Sequence, residues 1–448
     1  MKIDQILASF QYFGVNLGLT RIQKLLTKLG NPEKQVPTIH VAGTNGKGSV
    51  CAYLSSVLTE AGYSVGRYTS PHLISWTERI CLNEKPITET NFLTVLETVK
   101  EIITEDGAET PTLFEVVTAA AWLYFAQNQV DVAVMEVGLG GRLDATNVKD
   151  EVIASAITPV SFEHWQALGD TLGKIATEKA GILKANCPAF IAPQEPEAAS
   201  VIQQRANFLN CPTTWVKPAT ASNTISQNYD PIPPRVPPFQ RGVRGISCNS
   251  GFQNGDKKLN WAVYNDFEYP LPLFGEVQLT NSALAIATLQ YLQKQGWNIS
   301  SQAIKEGMRK TRWLGRLQWV NWQGRSLLID GAHNTAAAKG LRQYVETLRQ
   351  PVTWIMGILS TKEQKKILEI LLRPEDTLYT VPVPDHSTTP PEELCAMQDR
   401  TKACFPYNSL EVALEKVSSL HPQPPTVILC GSLYLVGYFL SSYPISNQ

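Results

Sequence analysis

The seven residues Gly43-Thr44-Asn45-Gly46-Lys47-Gly48-Ser49 constrain this chain more than any other segment. Ahead of them, 36–42 (VPTIHVA) is short, β-branched and apolar, the pattern of a buried strand. After them, Val50, Tyr53, Leu54, Val57, Leu58 and Ala61 recur at helical spacing, and Gly62 stands where such a helix ends. The loop therefore joins a strand to a helix. Glycines let backbone N–H groups crowd around phosphate oxygens, a lysine adds fixed charge, and a helix start offers its free N–H groups. This predicts nucleotide binding by Thr44, Asn45, Gly46, Lys47, Gly48 and Ser49. The spacing is not the strict GxxxxGK[ST] pattern: Val41 occupies the first glycine position, and Gly48 separates Lys47 from Ser49. A turn that bound nothing would need neither Lys47 nor Ser49.

The rest of the chain repeats the alternation. Strands are predicted at 130–137, 152–160 and 188–192, and helices at 114–127, 172–184, 197–210 and 280–295. Such alternation gives a mostly parallel sheet covered on both faces. Segment 217–260 is rich in Pro, Asn and Ser and reads as long loops around short strands, a small β-rich flap. After TRWLGRLQW at 311–319 a second series begins, with strands at 326–330, 352–358, 377–382 and 426–430 and helices at 336–349, 363–372 and 409–420. The expected fold class is α/β. A P-loop-type nucleotide-binding domain over 1–310 precedes a smaller C-terminal α/β domain over 317–448, in keeping with 448 residues being too many for one core.

Composition narrows the function classes. A formal net charge of −1 gives no global attraction to nucleic acid or an anionic membrane. No apolar run reaches the roughly 18 residues of a membrane span. The start carries Asp4 and lacks a signal-peptide pattern, so a cytoplasmic protein is expected; a monomer is the expected state. The eight cysteines are scattered without a CxxC pair and read as reduced, mostly buried thiols.

The string GTNGKGS resembles the amide-forming Mur ligases and, more closely, the dihydrofolate synthase/folylpolyglutamate synthase family. Further segments carry the likeness in family order: TSPHL at 69–73, ERICLN at 78–83, TLFEV at 112–116, EVGLGGRLDATNV at 136–148, LGDTLGKIATEKAGILK at 168–184, LGRLQ at 314–318, DGAHN at 330–334 and GSLYLVG at 431–437. The resemblance implies ATP-dependent ligation of L-glutamate to dihydropteroate, to folate (poly)glutamates, or to both. The route is an acyl phosphate, with ADP and phosphate as products. The site is expected in a cleft between the two domains. ATP and two magnesium ions are expected, with room for a monovalent cation.

Roles follow residue by residue. Lys47, Lys179 and His164 are the expected catalytic groups. Ser70, Glu136, His164 and Lys179, the last as a CO2-derived carbamate, are the expected magnesium ligands. A lysine must be neutral to react with CO2, and the product exchanges a cation for oxygen donors. Asn281, Arg316, Asp330 and His333 resemble nucleotide contacts. Thr112, Leu113, Phe114, Glu115, Leu143, Asp144 and Ala145 resemble the wall for the pterin of the substrate. Asp144 has a second reading, as support for the loop after Glu136, and Asn281 has one as a helix N-cap. Three departures stand out: Glu163 precedes His164 where the family has aspartate, Leu314 precedes Gly315-Arg316 where it commonly has proline, and Thr335 follows DGAHN where it often has proline. That threonine is read as an N-cap.

Two other readings compete. A cell-wall Mur ligase would need a sugar-nucleotide domain before the loop, and 42 residues are too few. A degenerate nucleotide-binding regulator is the non-enzymatic alternative, opposed by the presence of Lys47, Ser70, Glu136, His164 and Lys179 together. Within the family, folylpolyglutamate synthase activity alone stays open beside the combined activity.

Overall fold

The computed structural model describes residues 3–8, 10, 16–104, 110–222, 246–248, 260–348, 350–420, 426–443 and 445–446. The chain divides into two compact units, one of 1–222, 261–272 and 277–312, the other of 223–260, 273–276 and 313–448.

In the first unit the strand ahead of the glycine loop forms as β1 (Thr38–Ala42), buried along its length. It lies inside an eight-stranded sheet with β2 (Val65–Tyr68), β3 (Ile80–Leu82), β4 (Lys85–Pro86), β5 (Val132–Glu136), β6 (Ala154–Ile157), β7 (Ala189–Ile191) and β8 (Thr213–Trp215). The order is β4-β3-β2-β5-β1-β6-β7-β8. All pairs from β2 to β8 are parallel, and β3 and β4 add an antiparallel edge. Val41 lies beside Glu136 and Ala42 beside Ile157, so β1, β5 and β6 end together at their carboxyl edge. In sheets of this kind that edge holds the ligand site.

Helices cover this sheet. One apolar cluster gathers α1 (Ile3–Ala8), α2 (Thr20–Lys28), α4 (Glu89–Thr104) and α5 (Leu113–Gln127) around Leu25, Phe92, Val117 and Trp122. Helix α5 is buried from Glu115 to Phe125, as expected of a helix apolar on every side. A second cluster joins α7 (Leu172–Ala180) and α8 (Pro196–Phe208) through Ile175, Ala176 and Ile202. The helix after the glycine loop, α3 (Lys47–Glu60), packs on α9 (Val277–Lys294) and α10 (Ser301–Lys310). Gly307 makes that approach close: a Cβ there would lie 2.4 Å from the Val57 Cα. Gly62, at φ 93°, ends α3 as predicted, with its N–H on the Thr59 carbonyl.

Most of 217–260 lies outside the described residues. Within it are β9 (Thr220–Ala221), β10 (Ile246–Cys248) and the first residue of β11 (Asn260–Tyr264). Strands β9, β11 and β12 (Phe267–Leu271) form a three-stranded sheet.

The second unit holds the second alternating series. Strands β14 (Arg325–Ile329), β15 (Thr353–Met356), β16 (Thr377–Thr380), β17 (Ala403–Pro406) and β18 (Val427–Cys430) run parallel in the order β17-β16-β15-β18-β14. β13 (Gln318–Trp322) pairs antiparallel beside β14 and is followed by β10 and β19 (Ile445–Ser446). Leu328, Trp354, Leu368 and Ile428 centre its apolar core.

Three expectations change. The cap of α11 (Thr335–Glu346) is Asn334, not Thr335: Asn334 is extended and its side chain accepts the Ala337 N–H at 2.8 Å. Asn281 is no N-cap, because α9 begins one turn earlier, at Val277. Cys395 and Cys404 are joined in a disulfide rather than being free thiols. Packing of α13 (Pro391–Met397) on β17 brings their Cα atoms to 5.7 Å, a proximity that spacing in the chain does not announce.

Candidate active site

The first unit gathers its candidate residues at the carboxyl edge of β1, β5 and β6. Gly43 is at φ 138°, and a Cβ there would lie 1.8 Å from the Thr158 hydroxyl, so only glycine fits. Thr44 ties the loop to the segment after β6, donating from Oγ1 to the Ser161 carbonyl at 3.1 Å and accepting the Ser161 N–H at 3.0 Å. Gly46, at φ 92°, caps α3, and a Cβ there would lie 2.3 Å from Asn281 Oδ1. Asn281 thus reaches the glycine loop from the second turn of α9. Its Nδ2 bonds Gln278 Oε1 at 3.2 Å, and Gln278 Nε2 lies 3.4 Å from Ser49 Oγ. Lys47 curls back to the Thr44 carbonyl at 3.0 Å.

Lys179 enters the same place from α7. It is buried, and its Nζ donates to the Gly43 carbonyl at 2.6 Å. Burial, with the Lys47 charge adding to it, pulls its ammonium down to about 7, while Glu163 and Asp144 oppose the shift. The amine is therefore poised between charged and neutral forms near neutral pH.

Glu136 closes β5 and is 4% exposed, its Oε2 receiving the Ser70 N–H at 3.2 Å. The Ser70–Pro71 bond is cis. The next turn is held by Glu78, whose carboxylate collects the N–H groups of Leu73, Ile74 and Ser75 at 2.7–2.9 Å. Arg79 donates to His72 Nδ1 at 2.9 Å and covers the Trp76 ring. Burial and the Arg79 charge hold the His72 imidazole down to about 3.

His164 is the outlier. It adopts φ 51° ahead of the short α6 (Trp165–Leu168), with its side chain 50% exposed and its Nε2 3.8 Å from Glu163 Oε1. The unexpected Glu163 is the more buried of the two, at 11%.

The residues expected to face a pterin divide by what their side chains already do. Thr112 caps α5 in a reciprocal box with Glu115, which also receives Arg21 Nε at 3.1 Å. Glu115 Oε1 is buried without a partner. Asp144 is enclosed by the loop after β5, accepting from Leu139, Thr146 and Gly138. The loop-supporting reading of Asp144 is the one its bonds describe. Leu113, Phe114 and Leu143 are half-buried and Ala145 is buried. The Phe114 ring lies over Gly138, where a Cβ would come within 2.4 Å of it, and 6.1 Å from Tyr68.

In the second unit, Arg316, Asp330 and His333 converge. Asp330 follows β14 directly and accepts from the Leu317 and Ala332 N–H groups, both at 2.8 Å. Burial raises its pKa, while the Arg316 charge and these bonds oppose the rise. His333 Nδ1 lies 2.8 Å from the Gly331 carbonyl, and a Cβ on Gly331 would meet Arg316 Nη1 at 2.6 Å.

Several residues at the first unit's edge escaped the sequence reading. Gln278 stands three residues before Asn281, so helical spacing puts both on one face of α9, the face that meets Ser49 and Gly46. Thr158 and Ser161 follow β6, and only strand order puts them beside β1. Buried polar atoms without a partner gather here among the described residues: Thr158 Oγ1, Ser161 Oγ and Glu178 Oε2. Ser70 and Glu136 offer the oxygen donors that magnesium prefers, with the His164 imidazole as the exception. No three His, Cys, Asp or Glu side chains among the described residues form a metal-sized group.

Comparison with known proteins identifies the relatives of this chain. A model described as the Mur ligase middle domain matches residues 41–289, and one described as the dihydrofolate synthetase C-terminal domain matches 316–442. The dihydrofolate synthetase of Saccharomyces cerevisiae is 33% identical over 450 residues, covering 95% of this chain and 97% of the yeast protein. The folylpolyglutamate synthase of Lacticaseibacillus casei is 34% identical over 423 residues, covering 93% and 92%. The solved structure of Escherichia coli FolC in complex with DHPP and ADP has a TM-score of 0.77 at 29% identity, covering 98% of this chain and 96% of that one. Matched almost end to end, and with both family models in order, this chain belongs to the dihydrofolate synthase/folylpolyglutamate synthase family of ATP-dependent ligases.

Proposed function

We propose that this protein joins L-glutamate to dihydropteroate, to folates already carrying glutamate, or to both, using ATP. The observation that carries the reading is the buried Lys179 amine, 2.6 Å from the Gly43 carbonyl inside the phosphate loop and pulled down to about 7. A lysine serving only to bind phosphate gains nothing from being half neutral. One that must react with CO2 does.

The chemistry begins with a carboxylate that cannot accept an amine until it is activated. Transfer of the ATP γ-phosphoryl group gives an acyl phosphate, and attack by the glutamate amine releases phosphate and leaves the amide. The protein's work in the first step is positioning and charge neutralisation. Loop N–H groups and Lys47 take the phosphates, and Asn281 braces the loop at Gly46. By the family resemblance, Arg316, Asp330 and His333 are further nucleotide contacts. Magnesium would be held by Ser70, Glu136, His164 and the carbamate of Lys179, and would offset charge on the phosphate oxygens. Thr112, Glu115 and Asp144 make local bonds that shape the pterin wall, and Leu113, Phe114, Leu143 and Ala145 supply its apolar surface, with Glu115 Oε1 left as a polar atom without a partner.

The test is product formation. Purified protein receives Mg-ATP, glutamate and bicarbonate, with dihydropteroate or tetrahydrofolate in separate reactions, and phosphate release and amide product are measured. Turnover with the first alone, the second alone, or both decides which activity the chain has. Absence of product with either substrate would sink the proposal, and ATP binding without carboxylate-dependent phosphate release would favour the regulatory alternative.

A further inference from the structure

His40 lies in the middle of β1, is 1% exposed, and has no part in the chemistry above. Its Nε2 is 2.9 Å from Thr146 Oγ1. Thr146 Oγ1 in turn donates to Asp144 Oδ1 at 2.5 Å. The Asp144 carboxylate also receives the N–H groups of Thr146 at 3.0 Å, Leu139 at 2.9 Å and Gly138. Donors alone surround it, so it acts as an acceptor. Thr146 has one hydroxyl proton and spends it on Asp144, so toward His40 it can only accept. This fixes the tautomer: His40 carries its proton on Nε2. Burial keeps the ring neutral, down to about 3. The three residues form a one-way chain from His40 through Thr146 to Asp144.

The end of the chain governs a loop with two functional neighbours. Residues 138–147 begin two positions after Glu136. They also rest on the end of α7, where Lys179 sits. Arg142 N–H donates to the Glu178 carbonyl at 2.8 Å, and Asn147 Nδ2 bonds both the Arg142 and Gly181 carbonyls at 3.1 Å. A Cβ on Gly141 would lie 2.7 Å from the Glu178 carbonyl oxygen and 3.1 Å from that of Lys179. The loop therefore has no slack against α7. We propose that His40 is a positioning residue for ligation: through Thr146 and Asp144 it fixes the 138–147 loop and so sets Lys179 relative to Glu136. This rests on Glu136 and Lys179 acting together in the ligase reaction.

Four full-length variants test the chain. His40→Leu and Thr146→Val break it, whereas His40→Gln keeps an N–H near the Nε2 position and Thr146→Ser keeps the hydroxyl. In the protein without ligands, hydrogen exchange at the Leu139 and Thr146 amides should quicken at least about tenfold in the breaking pair, and stay near wild type in the retaining pair. Exchange in α11 of the second unit should be unchanged in all four. In turnover, the breaking pair should lose about 10- to 100-fold in kcat, as for groups that orient metal ligands. Affinity for a non-hydrolysable ATP analogue should hold within about twofold, because Gly43–Ser49 is untouched. Should His40→Leu fail to fold, Thr146→Val carries the test, since it alters little but the hydroxyl. Wild-type protein that never ligates overturns the ligase reading. Wild-type protein that does ligate, matched by Thr146→Val in kcat or in exchange, overturns the positioning role alone.

Discussion

Lys179 gives the sharpest expectation. An ordinary lysine near 10.5 is about one part in a thousand neutral at pH 7.5, whereas one at about 7 is roughly three-quarters neutral. The site therefore presents close to a thousandfold more reactive amine at that pH. Carbamate formation on Lys179 should rise steeply through pH 7 and level off by about pH 8, where an exposed lysine is still climbing. The assay is carbon-13 NMR of protein equilibrated with labelled bicarbonate and magnesium, with Lys179→Met as the blank. Kinetically, Lys179→Met should lose at least about 100-fold in kcat while nucleotide affinity moves by only a few fold. Linkage adds an independent check without bicarbonate. The folded chain holds the Lys179 proton more weakly than the unfolded chain, so unfolding takes up a proton between about 7 and 10.5. Stability contributed by this site should rise with pH across that window and be lost as pH falls through about 7. A flat stability profile there in wild type, or the same slope in Lys179→Met, would refute the buried-amine reasoning. A missing carbamate signal beside an intact slope would refute only the modification.

Other consequences can be measured as directly. Gly46→Ala puts a Cβ 2.3 Å from Asn281 Oδ1 at φ 92°, and should weaken nucleotide binding in calorimetry at least about tenfold with a stability loss of about 1–3 kcal/mol. Glu136→Gln keeps an acceptor for the Ser70 N–H but removes the charge; turnover should fall at least about 100-fold and the magnesium requirement rise, with little change in Tm. Asn334→Ala should cost about 1 kcal/mol in denaturant unfolding and Thr335→Ala much less, because the cap bond belongs to Asn334.

How much of this was legible depended on which physical signal each feature leaves in a sequence. Periodicity and glycine placement located β1, α3, α5 and the alternating strands of the second unit, because burial of a whole strand or helix repeats along the chain. The cap of α11 was missed by one residue, since Asn334 and Thr335 both suit an N-cap and only backbone angles separate them. The disulfide depends on α13 meeting β17, a tertiary fact with no local trace. Gln278 was within reach by helical spacing from Asn281. Thr158, Ser161 and the link from His40 to Asp144 were not, because each joins segments that only strand order makes neighbours. The likeness to known motifs supplied roles for Ser70 and Lys179 that their residue types alone would not.

The proposed metal set is the least legible part, and its charges say why. Among acids at this edge, Asp144 has its oxygens turned to its own loop and Glu178 pairs with Arg142, while Glu136 and Glu163 stand with the two lysines, Lys47 and Lys179. So composed, two ammonium groups stand among the carboxylates, which disfavours a divalent cation, and among the described residues no group of three acidic, histidine or cysteine side chains gives a recognisable motif. Converting Lys179 to a carbamate removes one positive charge and adds one negative. The same change supplies two oxygen donors beside Gly43, where the amine now bonds a carbonyl. On the proposed reading, then, the metal site is partly written in a modification, which a lysine codon does not reveal. What the sequence can encode is the condition for it: a lysine deep enough, and near enough to Lys47, to give up its proton at neutral pH.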